Sequence, residues 1–168
     1  VHLPGDMKTY TRCGSPEYMA PELHMGQPHA KPVDIWAIGV LAFELLSGTT
    51  PFFHENLMRM AEKTREAEPA WPEGFDAKFP EAHAMIGKLL AKKPAERVGV
   101  EGGVATLKAD PFFAEIDLEQ LAAKKITAPY VPDLEDEEDC SHFEEFDDED
   151  DENAGLYFDD GAGWADNF

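Results

Sequence analysis

Pro32-Val33-Asp34-Ile35-Trp36-Ala37-Ile38-Gly39-Val40-Leu41-Ala42-Phe43-Glu44-Leu45-Leu46-Ser47-Gly48 decides the fold. A proline opens the run, Asp34 falls in its first turn and Gly48 lies just past its end, the start and stop signals of an α-helix. The helix is apolar on nearly every face, and in a water-soluble domain such a helix is surrounded by other elements rather than lying on the surface. It reads as the central helix of a mainly α fold.

Working outward, further helices are expected over Glu55 to Ala67, Pro80 to Lys92 and Val104 to Ala109. Ala82, Met85, Ile86, Leu89 and Leu90 recur at helical spacing in the second of these. Pro69, Pro72, Pro80, Pro94 and Pro111 punctuate the connections, and Asp117 to Lys125 is a further short helical candidate. Val1 to His29 is rich in Gly, Pro, Thr and His without a sustained period and reads as ordered loop. Pro129 to Pro132 turns extended.

The chain of 168 residues is 43% hydrophobic, enough for one core, and its formal charge of -21 is unevenly spread. All 14 Lys and Arg lie between Lys8 and Lys125, and 18 acids fall in the chain up to Pro132, while the 36 residues from Asp133 hold 17 acids and no Lys or Arg. Asp133 to Cys140 has six acids among eight residues, a run that repels itself and is expected to stay solvated and partly disordered from about residue 133. That charge argues against nucleic-acid binding. Ile35 to Leu46 is too short to span a bilayer, no leader is recognisable, and two cysteines, Cys13 and Cys140, make no disulfide framework. An intracellular compartment, cytoplasmic or nuclear, is expected.

Thr11-Arg12-Cys13-Gly14-Ser15-Pro16-Glu17-Tyr18-Met19-Ala20-Pro21-Glu22, followed closely by Val33-Asp34-Ile35-Trp36, is the strongest motif. In order and spacing it resembles the end of the activation segment, the substrate-docking loop, the Ala-Pro-Glu signature and the central lower-lobe helix of protein kinases. Asp34 and Trp36 match the anchor of that helix. Arg97, in Ala95-Glu96-Arg97-Val98-Gly99, stands where the family keeps the partner of the Ala-Pro-Glu carboxylate, which implies a buried ion pair with Glu22.

Asp110-Pro111-Phe112-Phe113, Pro129-Tyr130-Val131-Pro132, Ser141-His142-Phe143-Glu144-Glu145-Phe146 and the terminal Trp164 to Phe168 resemble the C-terminal extension of AGC-type serine/threonine kinases, with the nearest likeness to cyclic-nucleotide-dependent kinases. The resemblance therefore divides the chain into a kinase lower-lobe part, 1–113, and an acidic extension, 114–168. It implies that Phe143 and Phe146 lie at the mouth of the adenine pocket and that Trp164 and Phe168 dock on the upper lobe. The Trp164 to Phe168 spacing is one residue wider than the family's, and no Ser or Thr follows Ser141.

Position by position, the resemblance implies that Thr11 is the activation-loop phosphoacceptor, with Thr9 a second candidate, since a phosphate there orders the loop by pairing with arginines. Ser15 matches the hydroxyl that contacts the catalytic aspartate. Arg12, Pro16 and Met19 match the pocket for the residue after the phosphoacceptor, which is usually apolar, so that Arg12 is a departure. Glu44 matches a carboxylate that binds a substrate arginine, and Glu17 is another candidate for a basic residue. Read without the family, Glu44 is a helix carboxylate reaching solvent.

Phosphoryl transfer needs parts that position ATP, bind Mg²⁺ and orient the hydroxyl. The 168 residues contain no Gly-rich phosphate loop, no Val-Ala-Ile-Lys strand, no His-Arg-Asp loop and no Asp-Phe-Gly, so no catalytic residue is assigned and the chain alone is expected to bind neither ATP nor Mg²⁺. By the family's spacing Val1 falls just after Asp-Phe-Gly, and the chain resembles an incomplete piece of a kinase. The six histidines show no metal-ligand spacing.

Two functions are expected. The first is part of a kinase that phosphorylates Ser or Thr of protein substrates with basic flanking residues, working with an upper lobe and a regulatory subunit or domain. The second is a non-catalytic module that binds basic partners through the acidic, aromatic tail. In either case the central helix would lack the elements that cover it in the family and would expose an apolar patch.

Overall fold

The computed structural model describes residues 8–136 and 138–143. Seven α-helices are found among them: α1 Pro21–His24, α2 Pro32–Ser47, α3 Leu57–Glu66, α4 Phe75–Lys78, α5 Pro80–Leu89, α6 Gly103–Lys108 and α7 Leu118–Ala122. Single 3-10 turns sit at Pro16–Tyr18, Pro94–Glu96 and Pro111–Phe113. The only β pairing among the described residues is an isolated antiparallel bridge between Thr9 and His29, so the fold is mainly α.

Helix α2 follows the sequence closely. It begins at a proline, whose missing N–H costs nothing in a first turn. It ends where Gly48 takes φ 82° and its N–H returns to the Glu44 carbonyl at 2.8 Å, a left-handed stop that glycine adopts without strain. Trp36, Gly39, Val40 and Phe43 form its buried stripe. Helix α5 lies directly against this stripe. Ala82, Met85, Ile86 and Leu89 point inward from it, and Gly39 allows the approach, because a Cβ there would stand 2.8 Å from Leu89 Cβ. A ring cluster of Phe43, Trp71, Phe75, Phe79 and His83 closes one end of the core, with Trp71 and His83 centroids 4.3 Å apart.

Helix α2 is not enclosed on every side. Ile38, Leu41 and Leu45 are exposed, Leu45 to 77%, so other elements do not surround the helix, and it carries an exposed apolar patch of the kind expected when its covering elements are missing. Among the described residues of the first compact unit, which ends at Lys125, that face is left exposed.

The remaining differences have local causes. Helix α3 starts at Leu57 because the Asn56 side chain accepts from the Met58 and Arg59 N–H groups and caps it. Helix α5 stops three residues before Lys92, where the chain turns to send the Lys92 amine back over the core. Asp117 caps α7 instead of joining it. Helices α1 and α4 are single turns and fall in stretches with no period to read.

A second unit begins at Ile126. Its described residues are almost all exposed, and the acidic run folds on itself locally. Asp139 accepts from the N–H groups of Glu135 and Ser141, at 2.9 and 2.8 Å, which holds its carboxyl below the usual range. Phe143 is 76% exposed, while Phe146, Trp164 and Phe168 lie outside the described residues.

Candidate functional site

The docking loop, Thr11 to Glu22, is tied to the body of the molecule at its far end. Helix α1 is one turn long and cannot hold itself together. Glu22 in its first turn is buried and forms a two-pronged ion pair with Arg97, 2.7 Å on each prong. Arg97 is completely sequestered, and all five of its N–H groups are used. Besides the two carboxylate oxygens, they reach the carbonyls of Ala91, Pro32 and Lys92 at 2.9, 2.9 and 3.2 Å. Its guanidinium also lies over the Trp36 ring, 5.1 Å from the centroid. A buried charge pair is stable only when its remaining donors are satisfied in this way.

Trp36 shares its surroundings with a second cation. It stacks on Phe52, centroids 5.5 Å apart, and the Lys92 amine sits 4.0 Å from the Phe52 centroid and 5.2 Å from that of Trp36. Lys92 also donates to the Thr64 carbonyl at 2.8 Å, joining the end of α3 to the core. Burial pulls its pKa down to about 8, with Glu68 opposing and Arg97 reinforcing the drop.

Two carboxylates converge on the exposed side of the loop. Tyr18 donates its hydroxyl to Glu44, and this bond, with burial and the field of both Glu44 and Glu17, pushes the phenol's pKa upward. Glu17 accepts from the Thr50 hydroxyl at 2.8 Å. The short 3-10 turn at Pro16–Tyr18 is what sets Glu17 and Tyr18 against α2 and α3. Glu44 is half-buried on a helix that otherwise lacks charge beyond its first turn, and its partner is a hydroxyl rather than a cation. Neither carboxylate has a lysine or arginine partner among the described residues.

Thr11 is exposed beside Thr9, whose hydroxyl bonds both its N–H, at 3.2 Å, and its own hydroxyl, at 3.1 Å. Ser15, Tyr18, Met19 and Asp34 line one small pocket of about 140 Å³ with Cys13 and Leu23. Asp34 is exposed there and makes no side-chain hydrogen bond among the described residues. Arg12 and Pro16 are exposed at the loop's outer edge.

The protein kinase domain family model matches residues 2–113. The chain belongs to the protein kinase family. It is 41% identical over 137 residues to the serine/threonine-protein kinase gad8 of Schizosaccharomyces pombe, covering 82% of this chain and 23% of that one. To the serine/threonine-protein kinase YPK2/YKR2 of Saccharomyces cerevisiae it is 37% identical over 145 residues, 86% of this chain and 21% of the relative. To the cAMP-dependent protein kinase type 3 of the same yeast it is 38% identical over 140 residues, 82% and 34% of the two chains. The chain thus spans between about a fifth and a third of these relatives' length.

These relatives are serine/threonine kinases of the AGC type, and the chain carries the later part of such a kinase domain, its lower lobe. The family acts on protein substrates with ATP and Mg²⁺. The donor set here does not fit the metal: among the described residues no three His, Cys, Asp or Glu side chains converge, and no step through ATP or Mg²⁺ is derived from this chain. Among the described residues no helix is long and apolar enough to cross a membrane. Sequence reasoning passed over Tyr18, Thr50 and Lys92. A lysine at the end of the expected apolar helix, three residues past its observed end at Leu89, was the one available signal for Lys92.

Proposed function

We propose that this chain is the substrate-docking lobe and tail of a serine/threonine kinase that moves the γ-phosphate of ATP to Ser or Thr of proteins with basic residues nearby. The observation that supports it best is the Glu17, Tyr18, Glu44 constellation: two carboxylates held by hydroxyls, facing outward, with no lysine or arginine of the described chain to neutralise them. Glu44 binds a substrate arginine and Glu17 a second basic residue. Thr11 is the activating phosphoacceptor, Ser15 contacts the catalytic aspartate, and Asp34 and Trp36 anchor the central helix. Glu22 and Arg97 hold the docking loop. Arg12, Pro16 and Met19 receive the residue after the phosphoacceptor.

ATP and Mg²⁺ are held by a part of the kinase outside these 168 residues, which bind neither alone. The division is a lower-lobe part at 1–113 and an extension at 114–168. The extension meets the upper lobe through Phe143 and Phe146 at the adenine pocket and through Trp164 and Phe168 on an apolar groove, and a regulatory subunit or domain controls the whole in the cytoplasm or nucleus.

The test is to read the transcript upstream of Val1 and assay its full-length product with labelled ATP on two serine peptides, with and without arginines before the serine. Glu44→Ala is expected to lower kcat/KM for the arginine peptide about tenfold or more and to leave the other near its starting value. No phosphate transfer to either peptide defeats the reading.

A further inference from the structure

Glu17 is held by a hydroxyl from beyond the end of α2. Thr50 lies 33 positions further along the chain and donates to Glu17 Oε2 at 2.8 Å. It is 4% exposed, whereas Glu17 is only partly buried. The donor sits on a fastened stretch of backbone. Gly48 turns the chain out of α2, and the Ser47 hydroxyl secures the turn, donating to the Phe43 carbonyl at 2.8 Å and accepting from the Thr49 N–H at 3.4 Å. Pro51 follows and disfavours helical conformations at Thr50, whose β-branch also restricts its side chain. Beyond it the Phe53 N–H returns to the Thr50 carbonyl at 3.4 Å, and Lys63 of α3 donates to the Phe53 carbonyl at 3.1 Å. A short, buried donor on a braced turn thus meets one oxygen of a longer, partly exposed carboxylate.

From this geometry we propose that Thr50 is a positioning residue for substrate selection, its hydroxyl holding the Glu17 carboxylate in the orientation that receives a second basic residue of a protein substrate, apart from the arginine that Glu44 takes. The inference rests on the kinase reading above, which gives Glu17 and Glu44 those roles. Thr50 touches no substrate and acts only through Glu17. A hydroxyl orients the carboxylate without cancelling its charge, whereas a lysine or arginine in its place would neutralise it before a substrate arrived. Without the hydroxyl, Glu17 keeps its charge but spreads over several rotamers, and a substrate cation must then order it on binding. Tyr18 serves Glu44 in the same way with its own hydroxyl. The two carboxylates therefore have separate donors, and one can be released without the other.

The test uses the whole 168-residue chain and a fluorescein-labelled peptide with arginines at several positions before a serine, together with a set in which one arginine at a time is citrulline, its neutral analogue. Fluorescence anisotropy at low salt gives the loss of affinity on each replacement. Glu44→Gln is expected to erase the loss at one position and Glu17→Gln at another, each about three- to fivefold in Kd, the range of exposed charge pairs. Thr50→Val, close in shape but without the hydroxyl, should cut the loss at the Glu17 position to about twofold or less and leave the Glu44 position as it was. Thr50→Ser should restore it. An intact Glu44 position also shows that the valine variant is folded. A Thr50→Val chain that keeps the full loss at the Glu17 position, one in which both positions fade alike, or a parent chain indifferent to every arginine overturns the inference. The kinase reading falls on a different result, the absence of phosphate transfer by the full-length product.

Discussion

Glu22 and Arg97 stand 75 positions apart in sequence and 2.7 Å apart in the fold, joined by two parallel N–H to oxygen bonds with neither side chain in contact with bulk water. The pair links α1, at the end of the loop that begins at Thr11, to the turn that follows α5. Because Arg97 also binds three carbonyls, its removal leaves both a buried carboxylate and several buried oxygens unpaired.

Arg97→Ala should therefore cost about 3 to 5 kcal/mol of stability, the range for leaving one member of a buried pair alone. Replacing both partners together, Glu22→Met with Arg97→Met, should cost less than Arg97→Ala, because no isolated charge is left inside. Urea denaturation of the three proteins checks the order. A double variant as unstable as the single one would show that the carbonyl contacts, not the ion pair, carry the stability.

Gly39→Ala should destabilise by about 1 to 3 kcal/mol through overpacking. The new methyl group would lie 2.8 Å from Leu89 Cβ and 2.9 Å from Leu90 Cδ2, and both belong to the closely packed α2 and α5 contact. Gly87→Ala is the control, since a Cβ there meets nothing within 4 Å, and it should be neutral or slightly stabilising.

Lys92 gives stability a pH dependence of defined sign. Its folded pKa of about 8 lies below the ordinary 10.5, so between those values the unfolded chain holds the proton more tightly than the folded one. Its contribution is therefore least favourable below pH 8 and improves as the pH rises from there. The gain is about 1 to 2 kcal/mol for an amine still half open to solvent. Tyr18, whose pKa is raised, acts oppositely above pH 10, so thermal melts should be compared from pH 7.5 to 9.5. Lys92→Met should flatten that rise, and an unchanged slope would assign it to other groups.

The exposed face of α2 should make the chain associate with itself. Ile38, Leu41 and Leu45 present a contiguous apolar strip on one helix. Leu41→Lys with Leu45→Gln is expected to shift the sedimentation profile toward monomer while changing unfolding by about 0.5 kcal/mol or less, as for other exposed substitutions. Sedimentation unaffected by both changes would move the sticky surface elsewhere.

Sequence alone determined the central helix, because a proline start, a left-handed glycine stop and a period of apolar residues are local signals that act within a few residues of each other. It also determined the kinase family, whose docking-loop and Ala-Pro-Glu motifs are contiguous, and it paired Glu22 with Arg97 through that resemblance. Tertiary structure decided what depends on approach between distant segments. Three of the five Arg97 N–H groups find carbonyls, at Pro32 where α2 begins and at Ala91 and Lys92 after α5, the Lys92 amine finds two aromatic faces, and Tyr18 and Thr50 hold two carboxylates outward. Burial and charge proximity are properties of the packed chain, so no local pattern could have announced them; an exposed patch on α2 was expected from its all-round apolar pattern, but which residues form it was decided by packing.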